Sequence, residues 1–199
     1  MSPKRGVAPV RREQIVRATI RCLARDGYSA LTMKKVAREA GVSQGILHYY
    51  FPDKRAILVA ALEKVVADLD RRVVAEARGA RDPWARLRAL IAACLEVAGT
   101  NREFWVVFVE FWGEMLHDKK LLAVNARLYD RVRRIIGGIV AQGARAGLFR
   151  RVAPEHAGAV ILALADGLSL QLTFDPKAFT VAQAARLGKE AVLRYLARE

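Results

Sequence analysis

The 199 residues predict an all-α protein built in two parts, on three observations. Apolar residues recur at spacings of three and four along most of the chain, without the alternation of a half-buried strand. The stretch LTMKKVAREAGVSQGILHYYFPDKRAIL, Leu31 to Leu58, reads as two short helices joined by a tight turn and followed by the start of a third. Near the C-terminus, Ala157 to Leu172 is apolar or small nearly all round apart from Asp166, Ser169 and Gln171, so it must be covered on more than one side.

Taken in order, residues 1 to 10 hold two prolines, a glycine and two basic residues, and are expected to stay disordered until they meet a partner. The first helix is expected from about Arg11 to Asp26. Ile15, Thr19, Cys22 and Leu23 face inward, Arg11, Arg12, Arg17 and Arg21 face outward, and Gly27 ends the helix. Met33, Val36, Ala37 and Ala40 then form one apolar stripe on a helix opened by Thr32 as N-cap. Gly41 suits the left-handed position that stops a helix, and Ser43 can cap the next, which runs through Leu47 to Tyr50. Two helices so short cannot enclose a core, so the first helix completes a three-helix domain over residues 1–52.

Pro52 and Asp53 open a long linking helix that carries Ile57, Leu58, Leu62, Val65, Leu69 and Val73 at helical spacing to about Arg78. It begins a second, helical-bundle domain over 53–199. Further helices are expected over about Trp84–Ala98, Arg102–His117, Leu121–Ala146, Pro154–Leu172 and Val181–Ala197. In the aromatic one, Phe104, Trp105, Phe108, Val109, Phe111, Trp112, Met115 and Leu116 share a wide arc, with Glu103, Glu110, Glu114 and His117 opposite. The pair Gly137-Gly138 marks a close helix crossing or a weak point.

The two short helices have the outline of a helix-turn-helix, whose second helix enters the major groove. Charge agrees with that: residues 1–60 hold 12 Lys/Arg against 4 Asp/Glu, over half of the chain's net +14. With Val42 and Leu47 spent on the core, Ser43, Gln44, Gly45, Ile46, His48 and Tyr49 lie toward the groove. The Gln44 amide can pair with adenine N6 and N7, Gly45 allows close approach, and Ile46 can meet a thymine methyl.

The run GVSQGILHYYFPDKRAIL resembles the signature of TetR-family transcriptional regulators, apart from His48, where that family usually has Tyr. The resemblance implies contacts to DNA from Thr32 and Lys34, phosphate contacts from Tyr49 and Lys54, and a homodimeric, ligand-responsive repressor on a pseudo-palindromic operator. Activation by the same fold and non-specific architectural DNA binding are the alternatives. It also implies an effector cavity in the second domain, for which Trp84, Phe104, Trp105, Phe108, Trp112 and Tyr129 are suitable walls. WVVFVEFWGEM and LADGLSLQL are similar to the C-terminal domain of the choline-responsive BetI-type branch, which points to a quaternary ammonium on aromatic faces.

The projection turns Glu110 and Glu114 away from the aromatic arc, so a countercharge must come from elsewhere, and Asp166 is the candidate. It serves either the effector or a subunit interface, where Ala157, Gly158, Ala165 and Gly167 would let a second copy approach through the last two helices. Cys22 and Cys94 are expected to be reduced packing residues, and His117 and His156 surface residues. No metal, cofactor or catalytic set is expected, so the chain reads as a non-enzyme. No apolar run reaches about 18 uncharged residues and no secretory signal is evident, so no membrane partner and a cytoplasmic location are expected.

Overall fold

A computed structural model of the chain describes residues 7–79, 82–100 and 102–198. Every regular element among them is helical: α1 (Val7–Asp26), α2 (Met33–Glu39), α3 (Gln44–Tyr50), α4 (Lys54–Gly79), α5 (Pro83–Thr100), α6 (Arg102–Met115), α7 (Lys119–Arg145), α8 (Pro154–Phe174) and α9 (Val181–Leu196). The chain divides into two compact units: residues 1–67 with 103–125, and 68–102 with 126–199. Helices α4 and α7 contribute residues to both.

In the first unit, α1 begins four residues earlier than its apolar pattern suggests. Pro9 is tolerated there because the N–H groups of a first helical turn have no intrahelical acceptor to lose. Of the segment expected to be disordered, residues 1–6 lie outside the described residues and residues 7–10 are helical. Ile15, Thr19, Cys22 and Leu23 are buried as their spacing requires, together with Val36, Ala37, Leu47, Phe51, Ile57, Leu58 and Leu62. Polar bonds fix α1 on α2: Gln14 Nε2 donates to the Ala40 carbonyl at 2.6 Å, and Arg21 and Arg25 hold the two oxygens of Glu39 at 2.8 and 3.0 Å. Those guanidiniums keep Glu39 below the usual carboxylate range. Part of the basic face is therefore spent on internal pairing.

Also in this unit, Trp105, Phe108, Phe111 and Met115 are buried on one side of α6. Leu116 is not among them; it is 77% exposed, because the helix ends at Met115 and the arc no longer applies. Tyr28 meets Phe111 edge-on at 6.4 Å. Asp118 caps α7 by accepting from the Lys120 and Leu121 amides, and it receives two hydrogen bonds from Arg55 of α4 at 2.5 and 2.9 Å. Its carboxyl is held far below the usual range, chiefly by Arg55.

In the second unit, Leu87, Leu90, Ile91 and Leu95 of α5 are buried, as are Ile161, Leu162, Ala165, Leu168 and Leu172 of α8 and Ala184, Val192 and Leu196 of α9. Helices α7 and α8 cross backbone to backbone. A Cβ on Gly137 would stand 2.5 Å from the Pro154 carbonyl oxygen, and one on Gly158 only 2.4 Å from that of Arg133. Of the two readings of the diglycine, Gly137 is thus the close crossing, while a Cβ on Gly138 would meet nothing within 4 Å.

This changes the reading of α8. Ala157, Gly158 and Ala165 are buried inside their own chain, so they do not await a second copy. What α8 and α9 leave open is another stripe, with Val160 48% exposed, Phe174 71% exposed, and Leu187 and Leu193 also exposed. By length and composition alone the helix is long and apolar enough to cross a membrane, although Asp166 interrupts it well short of 18 uncharged residues. Packing on α5, α7 and α9 accounts for the buried part, 44% of its apolar window.

One substitution at two glycines tests this crossing. Gly158→Ala should lower stability by roughly 1–3 kcal/mol, since backbone atoms cannot yield. Gly138→Ala should raise it by up to about 1 kcal/mol through helix propensity. Urea denaturation gives both, and equal effects at the two sites would contradict the packing.

Candidate nucleic-acid interface and effector region

The turn between α2 and α3 is built as its residues dictate. Thr32 Oγ1 accepts from the Lys35 amide at 3.2 Å, Gly41 takes φ +62°, and Ser43 Oγ accepts from the Ile46 amide at 3.2 Å. Leu47, fully buried, anchors α3 by its inner face. Gln44, Gly45, Ile46, His48 and Tyr49 are then exposed on the remaining surface, with Ile46 at 44% and Tyr49 at 70%. Thr32 and Lys34 are exposed on the preceding helix and its cap.

Three of the expected DNA contacts carry details the sequence did not show. His48 Nδ1 lies 3.2 Å from the Pro52 carbonyl. Since a carbonyl only accepts, Nδ1 carries the proton and Nε2 is left free. Tyr49 packs edge-on against Tyr50, ring centroids 5.1 Å apart, which stiffens a side chain otherwise in water. Lys54 is half-buried: its ammonium donates to the Tyr28 carbonyl at 3.1 Å and stands 4.8 Å above the Tyr28 ring. A phosphate there would share Lys54 with Tyr28.

The effector candidates divide between the units. In the first, Trp105, Phe108 and Trp112 form one aromatic cluster with centroids 5.6 to 6.5 Å apart, and the Trp112 indole N–H is buried without a hydrogen-bond partner. The Phe104 side chain lies outside the described residues.

In the second unit, the Tyr129 hydroxyl of α7 lies next to the carboxylate of Asp166 of α8, which in turn lies near Cys94 of α5. The glycine crossing explains the meeting. Gly137 against Pro154 and Gly158 against Arg133 set an antiparallel register that brings Asp166 to about one turn, roughly 6 Å at 1.5 Å per residue, from the level of Tyr129, a gap the long tyrosine side chain spans. Burial pushes Asp166 up to about 6, against a smaller downward pull from the Tyr129 hydroxyl. Burial, then the Asp166 carboxylate, raises the Tyr129 hydroxyl, and the same two causes push the Cys94 thiol up to about 12. Trp84 stands elsewhere. Its ring packs on Phe149 at 4.7 Å, and Phe149 lies on Gly143, roughly 21 Å along α7 from Tyr129 at 1.5 Å per residue.

The model of bacterial regulatory proteins of the tetR family matches residues 15–61, and the model of the BetI-type transcriptional repressor C-terminal domain matches residues 83–197. The chain belongs to the TetR family, with a BetI-type C-terminal domain. The HTH-type transcriptional regulator BetI of Paraburkholderia phytofirmans is 30% identical over 191 residues, 96% of this chain and 95% of that one. Its counterpart from Burkholderia ambifaria is 33% identical over 177 residues, 85% of either chain. Among solved structures, a transcriptional regulator from Saccharomonospora viridis in complex with choline has 27% identity and a TM-score of 0.88, over 96% of this chain and all of that one.

Within this TetR-family chain, Asp166 is a costly charge to carry inside a bundle. Ionised at neutral pH, it costs on the order of 3 kcal/mol relative to the unfolded chain. Its folded pKa is raised, so the folded state holds the extra proton and stability falls as pH climbs from about 4 through about 6. Asp166→Asn, which keeps an acceptor for Tyr129, should therefore be the more stable form at pH 8 and indistinguishable from wild type at pH 4. Thermal melts at both pH values check this, and equal stability at pH 8 would contradict a costly buried carboxylate.

Proposed function

We propose that this chain represses transcription as a homodimer and is released from its operator by a small quaternary ammonium compound of the choline class. In this reading residues 1–52 form the DNA-reading domain and 53–199 the domain for effector and partner. Gln44, Gly45 and Ile46 read base edges while Thr32, Lys34, Ser43, His48, Tyr49 and Lys54 contact the operator around them, since they occupy the outer face that buried Leu47 leaves to α3. A second copy covers the stripe of Val160, Phe174, Leu187 and Leu193 on the last two helices. A regulator of bacterial genes works beside the chromosome, hence in the cytoplasm.

The observation behind the effector assignment is the buried Asp166 carboxylate, whose cost is unexplained by any cation beside it among the described residues. A bound cation offsets that cost, which is a reason to keep the charge. The regulator from Saccharomonospora viridis, with choline bound, adds support from outside the chain. In this account Asp166 supplies the countercharge, Tyr129 holds its orientation by hydrogen bond, and Cys94 closes the apolar side. Ligand binding couples to DNA through whichever subunit arrangement it prefers. Arg55 bonded to Asp118 supplies a firm joint within the first unit, next to the DNA-reading face.

The sign of the pH dependence follows. A cation favours ionised Asp166, so choline affinity should be flat above about pH 7 and fall as pH drops through about 6. In calorimetric titrations, Asp166→Asn should lose at least about tenfold in affinity and the pH dependence with it. Wild-type binding by that variant would sink the assignment.

A further inference from the structure

The BetI-type reading leaves unused a cleft of about 630 Å³ in the second unit, lined by Val74 of α4, Arg86 of α5, and a single stripe of α7. Arg127, Arg131, Arg134 and Gly138 follow one another at spacings of four, three and four, so they stand in a row on one face of that helix. Ile135, Ile139 and Val74 give the cleft an apolar floor.

Charge is out of balance here. Among the described residues, the three guanidiniums of the α7 row face two carboxylates: Arg134 pairs with Asp130, and Arg131 with Asp70 at 2.5 Å. The Arg131–Asp70 contact is an ion pair without hydrogen-bond alignment, since Asp70 Oδ1 has no aligned donor. Arg86 donates to Gln142 Oε1 at 2.6 Å, which fixes its position at the edge of the cleft. Arg127 has no ion pair among the described residues. Planar guanidiniums in a row recognise carboxylate or phosphate in two-point fashion.

Gly138 is what opens the cleft. Its neighbour Gly137 has no room for a side chain, whereas a Cβ on Gly138 would project into empty space. We propose that this cleft binds a small anionic amphiphile, with a carboxylate or phosphate on the arginine row and an alkyl or ring portion on the Ile135–Ile139 floor. The volume suits a ligand of that size. Inorganic phosphate alone would leave the floor unused. The site is separate from the Asp166 region and opposite to it in sign, so it stands whether or not choline is the effector.

Calorimetry on the full chain with octanoate, octyl phosphate and the neutral octanamide tests this. Octanoate or octyl phosphate should bind once per protomer and at least tenfold more tightly than octanamide, and the stronger of the two identifies the headgroup. Gly138→Leu, which fills the cleft from an open helical position, and Arg127→Glu should each weaken that binding at least tenfold without lowering the melting temperature. Absence of binding by both anions, equal binding of octanamide, or binding that survives both substitutions would overturn the proposal. If Gly138→Leu fails to fold, Arg127→Glu decides alone.

Discussion

Two glycine contacts hold the second unit together in the form it needs. Gly137 against the Pro154 carbonyl and Gly158 against that of Arg133 let α7 and α8 approach as bare backbones. Helices this close cannot slide, because a shift would drive the neighbouring side chains into the opposite chain. The crossing therefore fixes a register, and the register brings Asp166 within about one turn of Tyr129. Without it the only acidic side chain within the buried length of α8 would meet no hydroxyl donor, and an ionised carboxylate in apolar surroundings needs one. The same diglycine turns Gly138 outward and leaves the arginine-lined cleft unfilled.

The first unit works on another principle. Helices of seven residues are too short to be stable alone, so α2 and α3 borrow their order from caps and from burial. Thr32 and Ser43 satisfy first-turn amides, Gly41 absorbs the turn, and Leu47 pins α3 from beneath. On the outer face of α3, Gln44, Gly45 and Ile46 are then left exposed, while His48 and Tyr49 also contact Pro52 and Tyr50. Many surrounding basic residues are not free: Arg21 and Arg25 serve Glu39, and Lys54 serves Tyr28. Net charge alone would have overcounted the DNA-facing cations.

What could be read from the sequence follows the range of the interactions. Thr32, Gly41, Ser43 and Asp53 announce their roles within a few residues, and the Asp53 carboxylate does accept from the Ala56 amide at 2.7 Å. Inward positions of α1 and most of those of α6 follow from period alone, until Leu116, where the helix had already ended. Long-range facts left no such signal. Arg55 and Asp118 are 63 residues apart in sequence, although Asp118 ahead of a helix start could have been recognised as a cap. Small residues in α8 looked like an invitation to a second copy, and only the structure shows Gly158 already filled by the backbone of Arg133. The effector candidates were chosen for side-chain type, which says nothing about position, and Trp84 proved to belong with Phe149.

A regulator of this build must distinguish one DNA sequence from others, and the proposed homodimer does so twice, once per subunit. Selection of bound duplexes from a random pool, followed by fluorescence anisotropy on the winner and on a scrambled duplex, measures that directly. The account predicts a single enriched sequence with two inverted half-sites about one helical turn, or a small multiple of it, apart, bound at least about 1,000-fold more tightly than the scrambled duplex. Gln44→Ala should erase most of that preference while leaving the salt dependence in place. Equal affinity for selected and scrambled DNA would contradict the account at its centre.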